Sequence, residues 1–346
     1  MKQIVDMILV TGGTGLVGSH LLYFLSKREA KIRAIYRSEK SIEKTKLVFK
    51  TYGATEQINQ IEWVKADVLD YFSLKDAFKD VNYVYHAAAF VSFDSKSANQ
   101  LIKVNVEGTE NVVNLSLEFN IKKFCFVSSV ASLGEYPNSN CTDEAAQWQN
   151  NKSTSSYSIS KYYSENEVWR ASQEGLPVVI VNPSTILGFG DWEGSSLKII
   201  KRVYDGLKFY TPGENGFVSV TDVVKVMLQL MDSDIVNERF ILVGENMSFK
   251  LLFEKIARSL KVRPPVIRAN YLLAVLMKNL DQVRAKLTGK TAVLSSKSIQ
   301  TAYASKCYDA AKLKNELAFE FESIDETIEK SAALFLSHKA ELARLS

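Results

Sequence analysis

The sequence predicts an α/β fold, a doubly wound parallel sheet followed by a smaller, mostly helical C-terminal lobe. Two observations carry that reading. From the start to about Val181, short β-branched runs alternate with longer stretches whose apolar residues recur at three and four, as in a parallel sheet with helices on both faces. After Pro183 that rhythm gives way to Gly- and Pro-rich connections and then to mostly helical periodicity.

The strands expected in order are "MILVT", "IRAIY", "IEWVK", "NYVYHA", "KFCFVSS" and "PVVIVN", each a short β-branched or aromatic run. Between them lie helices, notably "GLVGSHLLYFLSKR", "SLKDAFK", "ANQLIKVNVEGTENVVNLSLEF" and "SSYSISKYYSENEVWRASQE". Beyond Pro183, "ILGFGDWEGSS" and "YTPGENG" cluster Gly and Pro, "FVSVT" is a short strand opening the helix "DVVKVMLQLMD", and "RFILVG" is a further strand. From Phe249 the chain reads as helical, interrupted at "SLKVRPPVIR", whose prolines block helix. The expected division is 1–183 for the sheet domain and 184–346 for the lobe, with part of 216–245 returning to the sheet.

A chain of 346 residues, 46% hydrophobic and 24% charged, can bury a sizeable core. Its net charge of +4, from 43 basic and 39 acidic residues, comes with no basic stripe interleaved with aromatics, so nucleic acid is not an expected partner. His20, His86 and His338 lie far apart and predict no metal site. Cys125, Cys141 and Cys307 are odd in number and widely separated, which predicts neither a disulfide framework nor a zinc site and suggests a reducing, cytoplasmic location. The N-terminus shows no export signal. The run "YLLAVLM" (Tyr271 to Met277) is far below the ~20 residues of a membrane span. It reads as a core helix, with a membrane-surface contact flanked by Arg268 and Lys278 as the alternative.

"ILVTGGTGLVGSHLLYFL" sets Gly12, Gly13, Gly15 and Gly18 between a hydrophobic strand and an amphipathic helix. In that setting one glycine makes the tight turn, another leaves room for a pyrophosphate and a third lets helix and strand pack closely. The phosphates of a dinucleotide then sit on the free N–H groups of the helix start. The next strand ends in Tyr36 and Arg37 where a free ribose hydroxyl would prefer an acid. A guanidinium can clamp a 2′-phosphate, with Ser38 adding a hydroxyl, so NADP is favoured over NAD. Asp67, after the third strand, is placed to accept from an adenine amino group, with Val68 beside the ring. "HAAAF" ends the fourth strand, and its small alanines let a cofactor approach the backbone.

"TGGTGLVG", "ADV", "HAAA", "NVEGT", "SS" and "YSISK", in this order, resemble the extended short-chain dehydrogenase/reductase family over nearly the whole chain. The resemblance implies a Rossmann-type NAD(P) domain, a smaller substrate lobe and a homodimer formed through paired helices of the larger domain. It implies a cofactor site of Gly12, Thr14, Gly15, Leu16, Val17, Arg37, Asp67, Val68, Ala87, Ala88, Ala89, Ser128, Tyr157, Lys161 and Pro183. It also implies a catalytic set. Tyrosine four residues before lysine occurs six times, but only Tyr157/Lys161 follows the fifth strand on a helix leading to the sixth. The family's catalytic hydroxyl matches Ser129, five residues before Gly134, with Ser128 as the adjacent alternative, and its helix asparagine matches Asn105.

On a helix Lys161 lies beneath Tyr157, where its ammonium, with the nicotinamide ring, is expected to favour phenolate. Tyr157 then exchanges the proton and Ser129 stabilises the substrate oxygen.

Val130 and Ala131 stand where the family's dehydratases carry an acid pair, which disfavours elimination of water. "VNPSTILGFGD" has Asn182 and Leu187 where many sugar-nucleotide epimerases have arginine and tyrosine, and looks more like the branch of dihydroflavonol reductases and 3β-hydroxysteroid dehydrogenases. The expected activity is an NADP-linked carbonyl reductase or secondary-alcohol dehydrogenase for a small, fairly apolar substrate. Phe90, Val91, Val130, Ile186, Phe189 and Trp192 would line the pocket, unless they serve lobe packing. The alternatives are a sugar-nucleotide epimerase with retained NAD, which needs cations such as Lys198, Arg202, Arg239 or Arg268 turned inward, and a non-catalytic NADP-binding sensor.

Overall fold

The structure, a computed structural model, describes residues 6–92, 95–136, 141–151, 154–288 and 296–345. The six expected strands form as β1 (Met7–Thr11), β2 (Lys31–Tyr36), β3 (Ile61–Lys65), β4 (Tyr83–His86), β5 (Lys123–Val127) and β6 (Val178–Pro183). The lobe contributes β7 (Thr185–Leu187), β8 (Phe209–Tyr210), β9 (Glu214–Ser219), β10 (Glu238–Leu242), β11 (Glu245–Ser248) and β12 (Ile267–Arg268). The main sheet runs in the spatial order β10-β6-β5-β4-β1-β2-β3, and every pair in it is parallel. β10 is the "RFILVG" strand, paired with β6 from Glu238 opposite Val179 to Leu242 opposite Pro183. The other strands after β6 form a small sheet, β11-β9-β7, and the β12-β8 pair.

Helices cover both faces of the main sheet. They are α1 (Leu16–Leu25), α2 (Glu39–Thr51), α3 (Tyr71–Ala77), α4 (Ala98–Leu101), α5 (Gly108–Glu118) and α6 (Ser156–Gln173), followed by α7 (Lys198–Tyr204) and α8 (Val220–Asp232). Beyond these come α9 (Phe249–Leu260), α10 (Tyr271–Thr288), α11 (Ser296–Tyr303), α12 (Ala311–Leu317) and α13 (Ile324–Leu345). The period of two along a strand divides the core between the faces. Ile8 and Val10 join Leu21, Leu22, Phe49, Val223 and Met227 on one side, while Leu9 joins Phe124, Val112, Val113 and Val168 on the other. Each such fully buried side chain contributes about 1.5–3 kcal/mol. The lobe has its own core around Phe217, Leu252, Ile256, Ile328 and Phe335.

Three expectations need correction. Helix α2 was not foreseen, because its thirteen residues are highly charged and bury only Thr45, Val48 and Phe49. The long helix expected through Asn105 is interrupted between α4 and α5 by a π-helical stretch, Ile102–Glu107. Cys141 and Cys307 form a disulfide, although 166 residues separate them in sequence. A parallel bridge between Thr142 and Tyr308 brings their neighbours together, with Thr142 N donating to Cys307 O at 2.8 Å and the two cysteine Cα atoms 4.5 Å apart. The reducing location inferred from the cysteine count thereby loses its basis. Cys125 is the buried free thiol.

Candidate active site

The site sits where the strand order reverses, between β1 and β4, at the carboxyl ends of the strands. Thr11 and His86, the last residues of these strands, are partners in register. Gly12 follows in the left-handed region at φ +70°, and a Cβ there would stand 2.5 Å from Ala88 N. A Cβ on Gly18 would stand 2.1 Å from Gly12 O, so α1 touches the turn directly. Gly15 differs: it is exposed, caps α1, and its Cβ would meet only Gly12 O, at 3.3 Å. The first N–H groups of α1 have no partner within the helix, and the glycine leaves the space in front of them clear. That cradle fits a dinucleotide pyrophosphate.

The two glycines therefore separate experimentally. Gly18→Ala is expected to cost about 1–3 kcal/mol of stability through overpacking. Gly15→Ala is expected to leave the melting temperature near wild type while weakening dinucleotide binding. Thermal melts and fluorescence titrations of both variants test this, and an equal melting-point loss in both would contradict it.

Around the cradle, Thr14 and Leu16 are half-buried, and Val17 is buried in the core, leaving its backbone for a ligand. Ala87 and Ala88 are half-buried and Ala89 is exposed. Asp67 is half-buried, and its Oδ1 accepts from Leu69 N at 3.0 Å. Val68 is buried against the start of α5, where a Cβ on Gly108 would come within 2.7 Å of its Cγ2. That contact accounts for the glycine of "NVEGT". Arg37 is exposed at the end of β2 and enters no ion pair among the described residues. Pro183 ends β6, buried beside Leu242 of β10.

The catalytic candidates converge at the end of β5. Tyr157 lies in the first turn of α6, whose start is capped by Ser155 Oγ accepting from Ser158 N at 3.0 Å. Its phenol faces the side chain of Ser129. Burial pushes the phenol above its ordinary range, with the Ser129 bond opposing. Some of the residue's surface stays open. Lys161 is 3% exposed; its Nζ donates to Val127 O at 2.9 Å, and burial lowers it to about 8 while Glu165 opposes that shift. The phenolate expected from an adjacent ammonium is thus not favoured in the chain alone: desolvation outweighs the neighbours, and the phenol is protonated at neutral pH.

Ser128 and Ser129 are clearly distinguished. Ser128 Oγ donates to the buried Glu165 Oε2 at 2.6 Å, whereas Ser129 is half-exposed and faces Tyr157. Asn105 is buried within the π-helical stretch, a kind of distortion frequent at functional sites. Its side chain accepts from Phe90 N at 2.7 Å and donates to Phe90 O and Ser160 Oγ, both at 3.0 Å. Its carbonyl accepts from Thr109 Oγ1 and from Ser164 Oγ at 2.7 Å. Asn105 therefore ties the alanine-rich segment to α6 on either side of Lys161.

Two further residues were missed in the sequence. His86 is fully buried, and burial together with the charge of Lys161 lowers it to about 3, so it is neutral. Because Thr109 Oγ1 donates to Asn105 O, it accepts from His86 Nε2 at 2.9 Å, and His86 Nδ1 accepts from Thr11 Oγ1 at 2.6 Å. Ala88 N completes the chain by donating to Thr11 Oγ1 at 3.3 Å. No spacing rule marks this relay. Glu165 does have a signal, since it stands one turn beyond Lys161 on the face that carries Tyr157.

The apolar pocket is corrected in part. Trp192 is buried in the lobe core against Phe335, and Phe189 packs on His20 and Tyr52, so both serve packing. Phe90, Val130 and Ile186 are half-buried and Val91 is exposed.

A family model described as the NAD dependent epimerase/dehydratase family matches residues 8–244. The chain belongs to that family. It is 31% identical over 240 residues to sterol demethylase protein B of Methylococcus capsulatus, covering 69% of this chain and 70% of the relative. It is 25% identical over 339 residues to a Synechocystis protein provisionally named dihydroflavonol 4-reductase, covering 96% of this chain and 95% of the other. The crystal structure of UDP-glucose 4-epimerase from Thermotoga maritima superposes with a TM-score of 0.76 at 20% identity, covering 96% of this chain and 99% of that one, which is a likeness of fold. The protein is accordingly an NAD(P)-dependent enzyme of the extended short-chain dehydrogenase/reductase type.

Proposed function

We propose that the protein is an NADP-linked reductase, or secondary-alcohol dehydrogenase, for a small and fairly apolar substrate. The observation that carries this reading is the Tyr157–Ser129 hydroxyl pair at the end of β5, beside a glycine cradle that leaves a helix start clear. The dinucleotide supplies or takes the hydride when bound. In reduction, Tyr157, held protonated, donates its proton to the substrate oxygen, and Ser129 bonds that oxygen as charge develops on it. Lys161, Asn105 and the His86 relay hold the helix and the alanine-rich segment in place. Residues 1–183 would carry the cofactor and 184–346 the substrate, and α5 with α6 would form the homodimer contact usual in the family.

Arg37 carries the preference for NADP. Arg37→Ala is expected to weaken NADPH about tenfold to a hundredfold, the range of a charge-assisted bond, and NADH hardly at all. Fluorescence titration with both nucleotides decides it, and an equal loss for the two would sink the assignment.

The epimerase reading has less support. Arg239, one of the cations it would need, is turned away to Glu165 at 2.9 Å and to the Glu144 carbonyl. Lys198, Arg202 and Arg268 are exposed. Protein that purifies with NAD firmly retained and does not exchange NADPH would favour it and overturn the reductase. A sensor without turnover would need NADPH binding whose biological effect survives Tyr157→Phe.

A further inference from the structure

Positive charge is concentrated in one part of the lobe. Residues 261–288 hold six basic and one acidic residue, while the rest of the chain holds 37 basic and 38 acidic. The segment comprises the proline-containing connection after α9, strand β12 and helix α10. The same segment departs from the core helix expected at "YLLAVLM". Leu272, Leu276 and Leu280, four apart on one face of α10, are 76%, 54% and 61% exposed, and Val266 on the preceding connection is 77% exposed. Arg263 and Arg268 are exposed beside Val266, and Arg284 continues the leucine stripe and pairs with Asp281.

We infer that α10 and the connection before it form a docking surface for an anionic lipid bilayer, on which the protein sits peripherally. Exposed leucines bounded by basic residues match an interfacial helix, whose apolar face enters the headgroup boundary while the cations meet anionic headgroups. Insertion across the bilayer does not fit, because among the described residues no helix is long and apolar enough to cross a membrane. A second copy of this chain fits poorly too. A two-fold contact would bring one cationic segment against another, and each contributes a net +5. A soluble acidic partner would match the charge but leave the leucine stripe without a reason.

The test is flotation of the purified full chain with vesicles of phosphatidylcholine alone and of phosphatidylcholine mixed with phosphatidylglycerol. Binding is expected to the mixed vesicles only and to weaken as salt is raised. The triple variant Leu272→Ser/Leu276→Ser/Leu280→Ser is expected to abolish it. Arg263→Glu/Arg268→Glu is expected to weaken it about twentyfold or more, since each basic residue near the surface contributes about fivefold. Melting temperatures and dinucleotide titrations confirm that the variants are folded. Absence of flotation with either vesicle overturns the proposal, as does flotation unaffected by the leucine variant. Self-association that the leucine variant abolishes, without vesicle binding, assigns the face to a second copy instead.

Discussion

Tyr157→Phe is expected to lower kcat by about 10²–10⁴-fold, the contribution of a positioned general acid, with dinucleotide affinity close to wild type. The ring stays, so packing at the start of α6 is preserved. What goes is the phenol hydroxyl, the group that faces Ser129 and is held protonated by burial. The substrate oxygen then has no proton donor in reduction and no acceptor in oxidation. A residue acting only on the chemical step changes kcat more than KM, and that split separates a proton donor from a binding contact. Ser129→Ala is expected to cost about 10²–10³-fold, as for loss of one donor to a developing oxyanion, and Ser128→Ala much less. NADPH oxidation over a panel of hydroxy-ketones and sugar nucleotides, with stopped-flow resolution of the hydride step, provides the readout. Should Tyr157→Phe keep more than a tenth of wild-type turnover, the assignment of the proton donor is wrong.

The parts of this site that were legible in the sequence are those fixed by local stereochemistry. Gly12 must take positive φ and Gly18 must face a carbonyl, and both demands leave glycine in a strand-to-helix turn where pattern reading finds it. Tyr157 and Lys161 were found through the order of their neighbours, because their spacing recurs five times elsewhere in the chain. What escaped has no local code. A π-helical stretch is a change in backbone pairing, and "IKVNVE" reads as ordinary helix. The first half of helix α6 buries Ser160, Lys161, Ser164 and Glu165, so there the inward face is polar and apolar periodicity could not show it. Cys141 and Cys307 meet through a bridge between segments 166 residues apart, which no local pattern encodes.

Glu165 illustrates how such a hidden residue can govern the visible ones. Glu165→Ala is expected to destabilise the protein by about 1–3 kcal/mol, the range for buried donors that lose their acceptor, as measured by urea unfolding. The carboxylate is 2% exposed. Its Oε2 accepts from Ser128 Oγ at 2.6 Å, Ser132 Oγ at 2.7 Å and Asn182 Nδ2 at 2.9 Å, and its Oε1 accepts from Arg239 Nη1 at 2.9 Å. Removing it takes the shared carboxylate from two hydroxyls, an amide and a guanidinium, and leaves the guanidinium only the Glu144 carbonyl as acceptor. Asn182 reaches this carboxylate from β6, and the guanidinium comes from Arg239 on the neighbouring strand β10. This arrangement binds the Ser128–Ser132 turn, which presents Ser129 to Tyr157, to the edge strand supplied by the lobe. Replacing both charges, as in Glu165→Leu/Arg239→Met, is expected to restore much of the stability, because a buried pair and a packed apolar pair are often close in free energy. It is not expected to restore turnover, since the Ser128 and Ser132 hydroxyls still lack the carboxylate that fixes their turn. A double variant that regains both stability and kcat would show that Glu165 only neutralises Arg239 and does not position Ser129.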